Sequence, residues 1–327
     1  MSEPLVSISC ITYNHVNYIR DAIEGFLMQK TTFSFEIIIH DDASTDGTDQ
    51  IIKEYELKYP NLIFPTYQSE NQFSKGVRRI LATFVFPKCR GKYIALCEGD
   101  DYWTDPNKLQ KQVDFMENNL KYSFIHHNVF LSDAFSNIIK DAYFDSFPST
   151  FDFKYLISNT HPRTVSVLFR NNCVWLDPMM NHELPPRDTS LFFLLASHGA
   201  GYYLNECMAA YRIYEGGIWS SLGSTEKLET IIALKKIYMH YFSNLGYKLS
   251  FKHSIYEHQH DLTFVLSREG NFVSFIKAWT TLLLDSCILR KNPNNYIIPL
   301  LVFIKHRLLL PYTKYHLFTK KFNIFSK

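Results

Sequence analysis

The chain has 327 residues, 46% of them hydrophobic and 20% charged, which excludes a disordered or fibrous protein and leaves room for two domains, or one with an appendage. Its net charge of +2 hides an asymmetry: beyond Asp285 there is no acidic residue, while eight Lys or Arg remain, at 290, 291, 305, 307, 314, 320, 321 and 327. Six cysteines, at 10, 89, 97, 173, 207 and 287, form no CxxC pair, which argues against a zinc site or disulfides and fits buried, reduced thiols in a reducing compartment.

The chain enters an apolar strand at residues 5–11 without a basic segment ahead of it, so no signal peptide is expected. No run of about 18 apolar residues occurs, and no transmembrane span is predicted. Thr12-Tyr13-Asn14-His15 forms the loop after the first strand. Helical spacing over Tyr18–Gln29, a strand at Phe35–His40, a helix over Thr48–Tyr59 stopped by Pro60 and a strand at Leu62–Tyr67 follow. Lys75–Pro87 is predicted helical, and Tyr93–Cys97 is a fourth apolar strand. This alternation predicts an α/β fold with a mostly parallel sheet flanked by helices. Asp105 and Pro106 read as N-cap and first residue of a helix reaching Asn118. Ser123–Leu131 is a strand; its adjacent His126 and His127 point to opposite faces and are assigned to packing rather than to one metal. Residues 133–160 lack periodicity and read as a loop region, Arg163–Arg170 as a strand, Leu191–His198 as a helix and Tyr202–Tyr214 as two short strands around Asn205-Glu206. Three helices, Thr225–Phe242, His253–Arg268 and Phe272–Arg290, then form a C-terminal helical region. The expected division is a domain over 1–222 and a helical region with a basic, aromatic tail over 223–327.

In parallel sheets, ligands bind beyond the carboxyl ends of the strands. Three polar clusters fall there: Thr12-Tyr13-Asn14, Asp41-Asp42, and Glu98-Gly99-Asp100-Asp101. Three carboxylates within four residues repel one another unless a cation joins them. Hard divalent ions such as Mg²⁺ or Mn²⁺ take carboxylate oxygens and complete their shell with substrate phosphates. GxGxxG and GxxxxGK[ST] are both missing, which excludes a dinucleotide-binding dehydrogenase and a P-loop enzyme. Phosphates would therefore be met by a metal and by cationic side chains.

Val6-Ser7-Ile8 through Thr12-Tyr13-Asn14, Glu36-Ile37-Ile38-Ile39-His40-Asp41-Asp42 with Ala43-Ser44-Thr45-Asp46-Gly47-Thr48, and Gly91-Lys92-Tyr93-Ile94-Ala95-Leu96-Cys97-Glu98-Gly99-Asp100-Asp101-Tyr102-Trp103 together resemble family 2 glycosyltransferases with the GT-A (Rossmann-like) fold, in order and spacing over about the first 120 residues. The resemblance implies that Thr12, Tyr13 and Asn14 border the donor nucleotide and that Asp42 accepts from the N–H of its base. Asp100 would reach ribose or metal and Asp101 would bind the metal, Mn²⁺ or Mg²⁺. Glu98 would contact the ribose or brace the turn. The family's region matching Asn71–Arg79 contacts base and pyrophosphate, which gives that role to Lys75, Arg78 or Arg79; the alternative for each is a solvated helix face. Asp188, at a helix start, is either an acid placed for the helix dipole or, as the resemblance implies, the general base on an acceptor hydroxyl. Tyr211-Arg212-Ile213-Tyr214 resembles the family's Tyr-Arg-x-His stretch with Tyr214 replacing the His, and Gly216-Gly217 with Trp219 suggests a lid over the donor.

The expected activity is inverting, metal-dependent transfer from a nucleoside-diphosphate sugar, UDP-linked, to a glycan or lipid-linked saccharide in cell-surface polysaccharide synthesis. A non-catalytic sugar-nucleotide or glycan-binding module and a nucleotidyltransferase are the alternatives. The basic tail over 291–327 either meets an anionic membrane or packs on the catalytic domain; its mixture of aromatics and aliphatics suits a membrane better than nucleic acid. A cytoplasmic chain lying on the inner face of the plasma membrane is the corresponding expectation.

Overall fold

The computed structural model describes residues 3–171, 184–185, 187–214, 222–269, 272–289, 291–292 and 294–308. The chain divides into a unit spanning Met1–Ser221 and a second spanning Leu222–Lys327.

The first unit is built on β1 (Val6–Thr12), β2 (Phe35–Asp41), β3 (Ile63–Tyr67), β4 (Tyr93–Leu96), β5 (Tyr102–Trp103), β6 (Tyr122–Ser132), β7 (Ile138–Lys140), β8 (Thr150–Phe151), β9 (Leu168–Arg170) and β10 (Ala200–Arg212). They form one sheet in the order β3-β2-β1-β4-β9-β6-β10-β5, with β7 on β6 and β8 on β10. β3, β2, β1 and β4 run parallel, as do β6 and β10; β9 and β5 run antiparallel to their neighbours. β1 is buried on both faces: Val6, Ile8 and Cys10 on one face have no exposed surface, and neither does Ser7 on the other. α1 (Ile19–Leu27) buries Ile19, Ala22, Ile23 and Phe26, and its Phe26 meets Trp103 edge-on. α2 (Thr48–Lys58) and α3 (Lys108–Asn118) contribute Ile52, Tyr55, Leu109, Val113 and Met116 to the same core. β3 tolerates Pro65 because it is the terminal strand of the sheet.

Several local expectations are corrected. Lys75–Pro87 is not a regular helix: a left-handed Gly76 (φ 96°) ends one turn, and Leu81–Val85 is a π-helical turn running into a 3₁₀ turn at Phe86–Lys88. Residues 164–166 form a 3₁₀ turn, which leaves only Leu168–Arg170 as strand. The 133–160 region contains β7, β8 and α4 (Phe153–Ser158), the last capped by the Asp152 side chain. In place of two short strands over Tyr202–Tyr214 there is one, β10, which ends at Arg212 and carries bulges between Leu204 and Ala210 instead of a break. Asn107, not Asp105, is the cap residue of α3; Asp105 accepts the Asn107 N–H at 2.8 Å and pairs with Lys111. His126 and His127 are fully buried, His126 among Phe144, Phe147, Phe151 and Tyr203.

α5 (Asp188–His198) is the last helix of the first unit among the described residues. The second unit comprises α6 (Ser224–Tyr241), α7 (Lys248–Glu269), α8 (Phe272–Leu289) and α9 (Asn294–Leu308). Its core is Ile232, Ile255, Leu262, Leu266, Phe275 and Phe303, with the last two rings stacked 4.2 Å apart. No helix among the described residues is long and apolar enough to cross a membrane.

Candidate active site

The site forms where β1, β2 and β4 end side by side. The Asp42 N–H donates to the Thr12 carbonyl at 3.0 Å, and the Gly99 N–H donates to the Ile11 carbonyl at 2.9 Å. These bonds carry the ladder past the formal strand ends and draw the acidic turn against β1. A side chain at 99 would not fit: its Cβ would lie 2.7 Å from Thr12 Oγ1 and 2.8 Å from Thr12 Cβ.

Glu98, Asp100 and Asp101 each offer a carboxylate oxygen, and these atoms lie within 4.8 Å of one another. Burial, then Asp100 and Asp188, pushes the Glu98 acid up to about 8. Asp101 is held well above the usual carboxylate range by burial and by its two acidic neighbours. Only 1% of Asp101 is exposed; its Oδ1 accepts the Arg212 N–H at 2.8 Å, while Oδ2 is buried without a hydrogen-bond partner. An unmet buried carboxylate oxygen and uncompensated like charges both disfavour the protein alone. A hard divalent cation on an oxygen-donor set answers both, so the acidic cluster fits a metal.

The turn is held from below by Arg212, the last residue of β10, whose side chain is fully buried. Its guanidinium donates to the Asp100 carbonyl, to Asp21 Oδ2 at 2.8 Å and to Ser136 Oγ at 2.7 Å. It also lies over the rings of Tyr18 and Tyr102. The Tyr214 hydroxyl donates to Asp100 Oδ2 at 2.9 Å, and burial followed by Asp100 raises its pKa. His15 Nε2 stands 4.0 Å from the same Oδ2, with Nδ1 3.2 Å from Thr12 Oγ1. Tyr214 thus occupies the place next to the acidic turn that the resemblance gives to a His, and His15 supplies an imidazole from the loop after β1 instead. Arg212, His15, Asp21 and Ser136 were given no role from sequence. Their contacts join residues as far apart as 191 positions, which local spacing cannot show.

At the other end of the strand edge, Asp42 is 4% exposed and its two oxygens accept the N–H groups of Gln72 (2.8 Å) and Phe73 (3.0 Å). Asp42 therefore shapes the 71–76 turn, and a carboxylate's remaining lone pairs still allow it to accept from a ligand. Asn14 adopts φ 55° and locks its loop to Ser44 and Thr45, while Tyr13 is exposed. The three candidate cations each have a partner within the chain. Lys75 pairs with Glu70, Arg78 donates to the Phe73 carbonyl at 2.7 Å while stacking on its ring, and Arg79 donates to the Leu184 carbonyl at 2.5 Å.

Asp188 opens α5, and its Oδ1 accepts the Thr189 N–H at 2.7 Å. Solvent reaches its side chain. Burial by the surrounding protein nevertheless raises its acid, against the Thr189 N–H, Arg163 and Arg187. Asp188 is close enough to Glu98 to raise that acid too. Arg163, stacked on Tyr143 and Tyr211, is a second cation of this region. Trp219 and the Gly216-Gly217 pair lie outside the described residues.

The switch between β1 and β4, flanked by helices and carrying an acidic turn, is the GT-A architecture. The chain belongs to glycosyl transferase family 2: the family's sequence profile matches residues 7–166. It is 30% identical over 220 residues, covering 67% of this chain and 83% of the other, to the putative teichuronic acid biosynthesis glycosyltransferase TuaG of Bacillus subtilis. It is 39% identical over 220 residues to an uncharacterised protein of Mycobacterium tuberculosis, covering 66% of this chain but only 61% of that protein's length. Among solved structures, S. aureus TarS 1–349 in complex with UDP-GlcNAc has a TM-score of 0.51 at 15% identity, over 88% of this chain and 93% of that one. The mannosyltransferase PcManGT of Pyrobaculum calidifontis, in complex with GDP-Man and Mn²⁺, has a TM-score of 0.51 at 11% identity, over 96% and 89%. At these identities the two structures bear on the fold alone.

Proposed function

We propose that the chain catalyses inverting, metal-dependent transfer of a sugar from a UDP-sugar to a hydroxyl of a glycan or lipid-linked saccharide in cell-surface polysaccharide synthesis. The observation that carries this reading is the unmet acidic cluster at the end of β4, with the Asp188 carboxylate within electrostatic reach of it. The name of the Bacillus relative, a teichuronic acid biosynthesis glycosyltransferase, supports the polysaccharide context.

In this scheme Asp101 and Asp100 hold Mn²⁺ or Mg²⁺, and the bound ion would neutralise charge on the departing diphosphate. Thr12, Tyr13, Asn14 and Asp42 border the nucleoside, with Asp42 accepting from the base. Lys75, Arg78 and Arg79 line its approach, and reaching a phosphate would require any of them to exchange its present partner. Tyr214 is placed to pass its proton donation from Asp100 to a phosphate oxygen. Glu98 braces the turn or meets the ribose, and Trp219 would cover the donor. The acceptor oxygen attacks the anomeric carbon from the face opposite the diphosphate. Its proton passes to the Asp188 carboxylate while the bond from the anomeric carbon to the phosphate oxygen breaks and UDP leaves with the electron pair. The raised acid of Asp188 makes it a better proton acceptor than a free carboxylate.

The test is Mn²⁺-dependent UDP release from UDP-sugars. Asp188→Asn is expected to lower kcat by about 10² to 10⁴ with UDP binding retained. Unchanged turnover in this variant would remove Asp188 as the base. UDP binding without turnover in the wild type would favour a binding module, and pyrophosphate release from a nucleoside triphosphate would favour a nucleotidyltransferase.

A further inference from the structure

The second unit carries an inverted surface. On α9, Pro299 and Phe303 turn inward, while Ile297, Ile298, Leu301 and Ile304 form an exposed stripe. Leu301 is 57% exposed, more than a helix packed by its apolar face would leave open. α8 shows a similar stripe: Val273, Lys277, Thr280, Leu284 and Ile288 follow one another at helical spacing, with Leu284 65% and Ile288 67% exposed. Aliphatic side chains recurring on the outward side of two consecutive helices form a surface that water disfavours, and such surfaces mark interaction sites.

We infer that the outward faces of α8 and α9 dock on an anionic lipid bilayer. Charge decides between the possible occupants. From Arg290 onward the sequence holds eight Lys or Arg and no acidic residue. Lys291 pairs with Glu257 at 2.8 Å, but a second copy would still bring the same excess of positive charge to the contact, whereas an anionic leaflet neutralises it. The same stretch adds Tyr312, Tyr315, Phe318, Phe322 and Phe325, residue types that favour the boundary between headgroups and acyl chains. Because no helix among the described residues can cross a membrane, the attachment lies along the surface. The exposed isoleucines and leucines enter the acyl boundary while lysines and arginines stay with the headgroups. This inference does not depend on glycosyl transfer, and donor turnover can be measured separately.

The full chain is mixed with sedimentable vesicles of phosphatidylcholine, with or without about a third phosphatidylglycerol. The wild type is expected to sediment with the anionic vesicles, less so at high salt, and weakly with neutral ones. The double variant Ile298→Glu/Leu301→Glu changes side chains that already face water, so its helical circular dichroism and donor turnover should match wild type. Its partition should fall by about tenfold or more, since it loses two apolar anchors and gains two negative charges. A second variant, with Lys314, Lys320 and Lys321 changed to Gln, should lose partition without touching the aliphatic stripe. Equal partition of wild type and the double variant, or no preference for anionic vesicles, overturns the proposal. So does a wild-type dimer in sedimentation velocity that the double variant splits while vesicles bind neither protein, which would assign the face to a second copy.

Discussion

Replacing Asp101 with Asn separates stability from function. In the metal-free protein the Asp101 carboxylate is buried, has one unmet oxygen and lies beside Asp100. Asparagine keeps the acceptor for the Arg212 N–H and removes the charge. At a separation under 4.8 Å and an effective dielectric near 20, two unit charges repel by roughly 3 kcal/mol. The new amide donor is left unmet, at a cost of about 1–3 kcal/mol, but it replaces an oxygen that was unmet already. Where pH is high enough for Asp101 to be ionised in the folded protein, the balance is about 2 kcal/mol in favour of Asp101→Asn when a chelator is present, a rise in Tm of roughly 4–8 °C, and it shrinks at lower pH where Asp101 is already neutral. The gain should grow with pH. Asp101's acid is raised in the folded protein, so its contribution is intact below the unfolded carboxylate value and is lost as pH rises through the folded one. Glu98 adds the same sense in both proteins, between 4.5 and about 8. With Mn²⁺ the order should invert: at a hundredfold excess over Kd the wild type gains about 2.7 kcal/mol, and Asp101→Asn gains little and shows no metal-dependent transfer. Thermal unfolding in EDTA and in Mn²⁺ at several pH values reads all of this. An Asn variant less stable than wild type in EDTA, or one with an undiminished Mn²⁺ shift, would refute the reasoning.

Two further substitutions probe the frame around the cluster. Gly99→Ala drives a methyl group against Thr12, which should cost about 1–3 kcal/mol of stability by overpacking and reduce turnover further by displacing the acidic turn; denaturant midpoint and kcat measured together check it. Arg212→Lys keeps the charge but cannot reproduce donation to Asp100, Asp21 and Ser136 at once. A loss of about 2–4 kcal/mol is expected, together with weaker Mn²⁺ binding in titration; unchanged Mn²⁺ affinity would restrict Arg212 to a purely structural role.

What was legible in the sequence followed from its periodicity and its strand-end residues. β1, β2 and β4 are runs of apolar residues too short for helices, and each is followed at once by polar groups, so strand positions and the acidic turn could be placed together. Lys75–Pro87 misled because its apolar residues suit a helix while Gly76 and Pro87, which break it, are only two residues among thirteen. The β10 bulge was read as a break because Asn205-Glu206 interrupts the alternation, although the strand pairs with β6 on both sides of it. Arg212 stands in the Tyr211–Tyr214 stretch that the resemblance marks, but its partners Asp21, Asp100 and Ser136 are far off in sequence, so its clamp was not legible there. Gly99 gave a hint of another kind, since a glycine set between carboxylates implies something pressing on the turn, and that something is Thr12.

The two ends of the sheet also constrain how the protein can associate. β3, at one end, carries Pro65 in mid-strand, so its outer row of donors is interrupted where an incoming strand would need an N–H. β5, at the other end, is only two residues long and offers too little ladder to recruit a partner. A ten-stranded sheet is otherwise a ready template for another chain. With these two rims blunted, edge-to-edge pairing at β3 or β5 is disfavoured, and the sheet remains a private scaffold for the turn it carries.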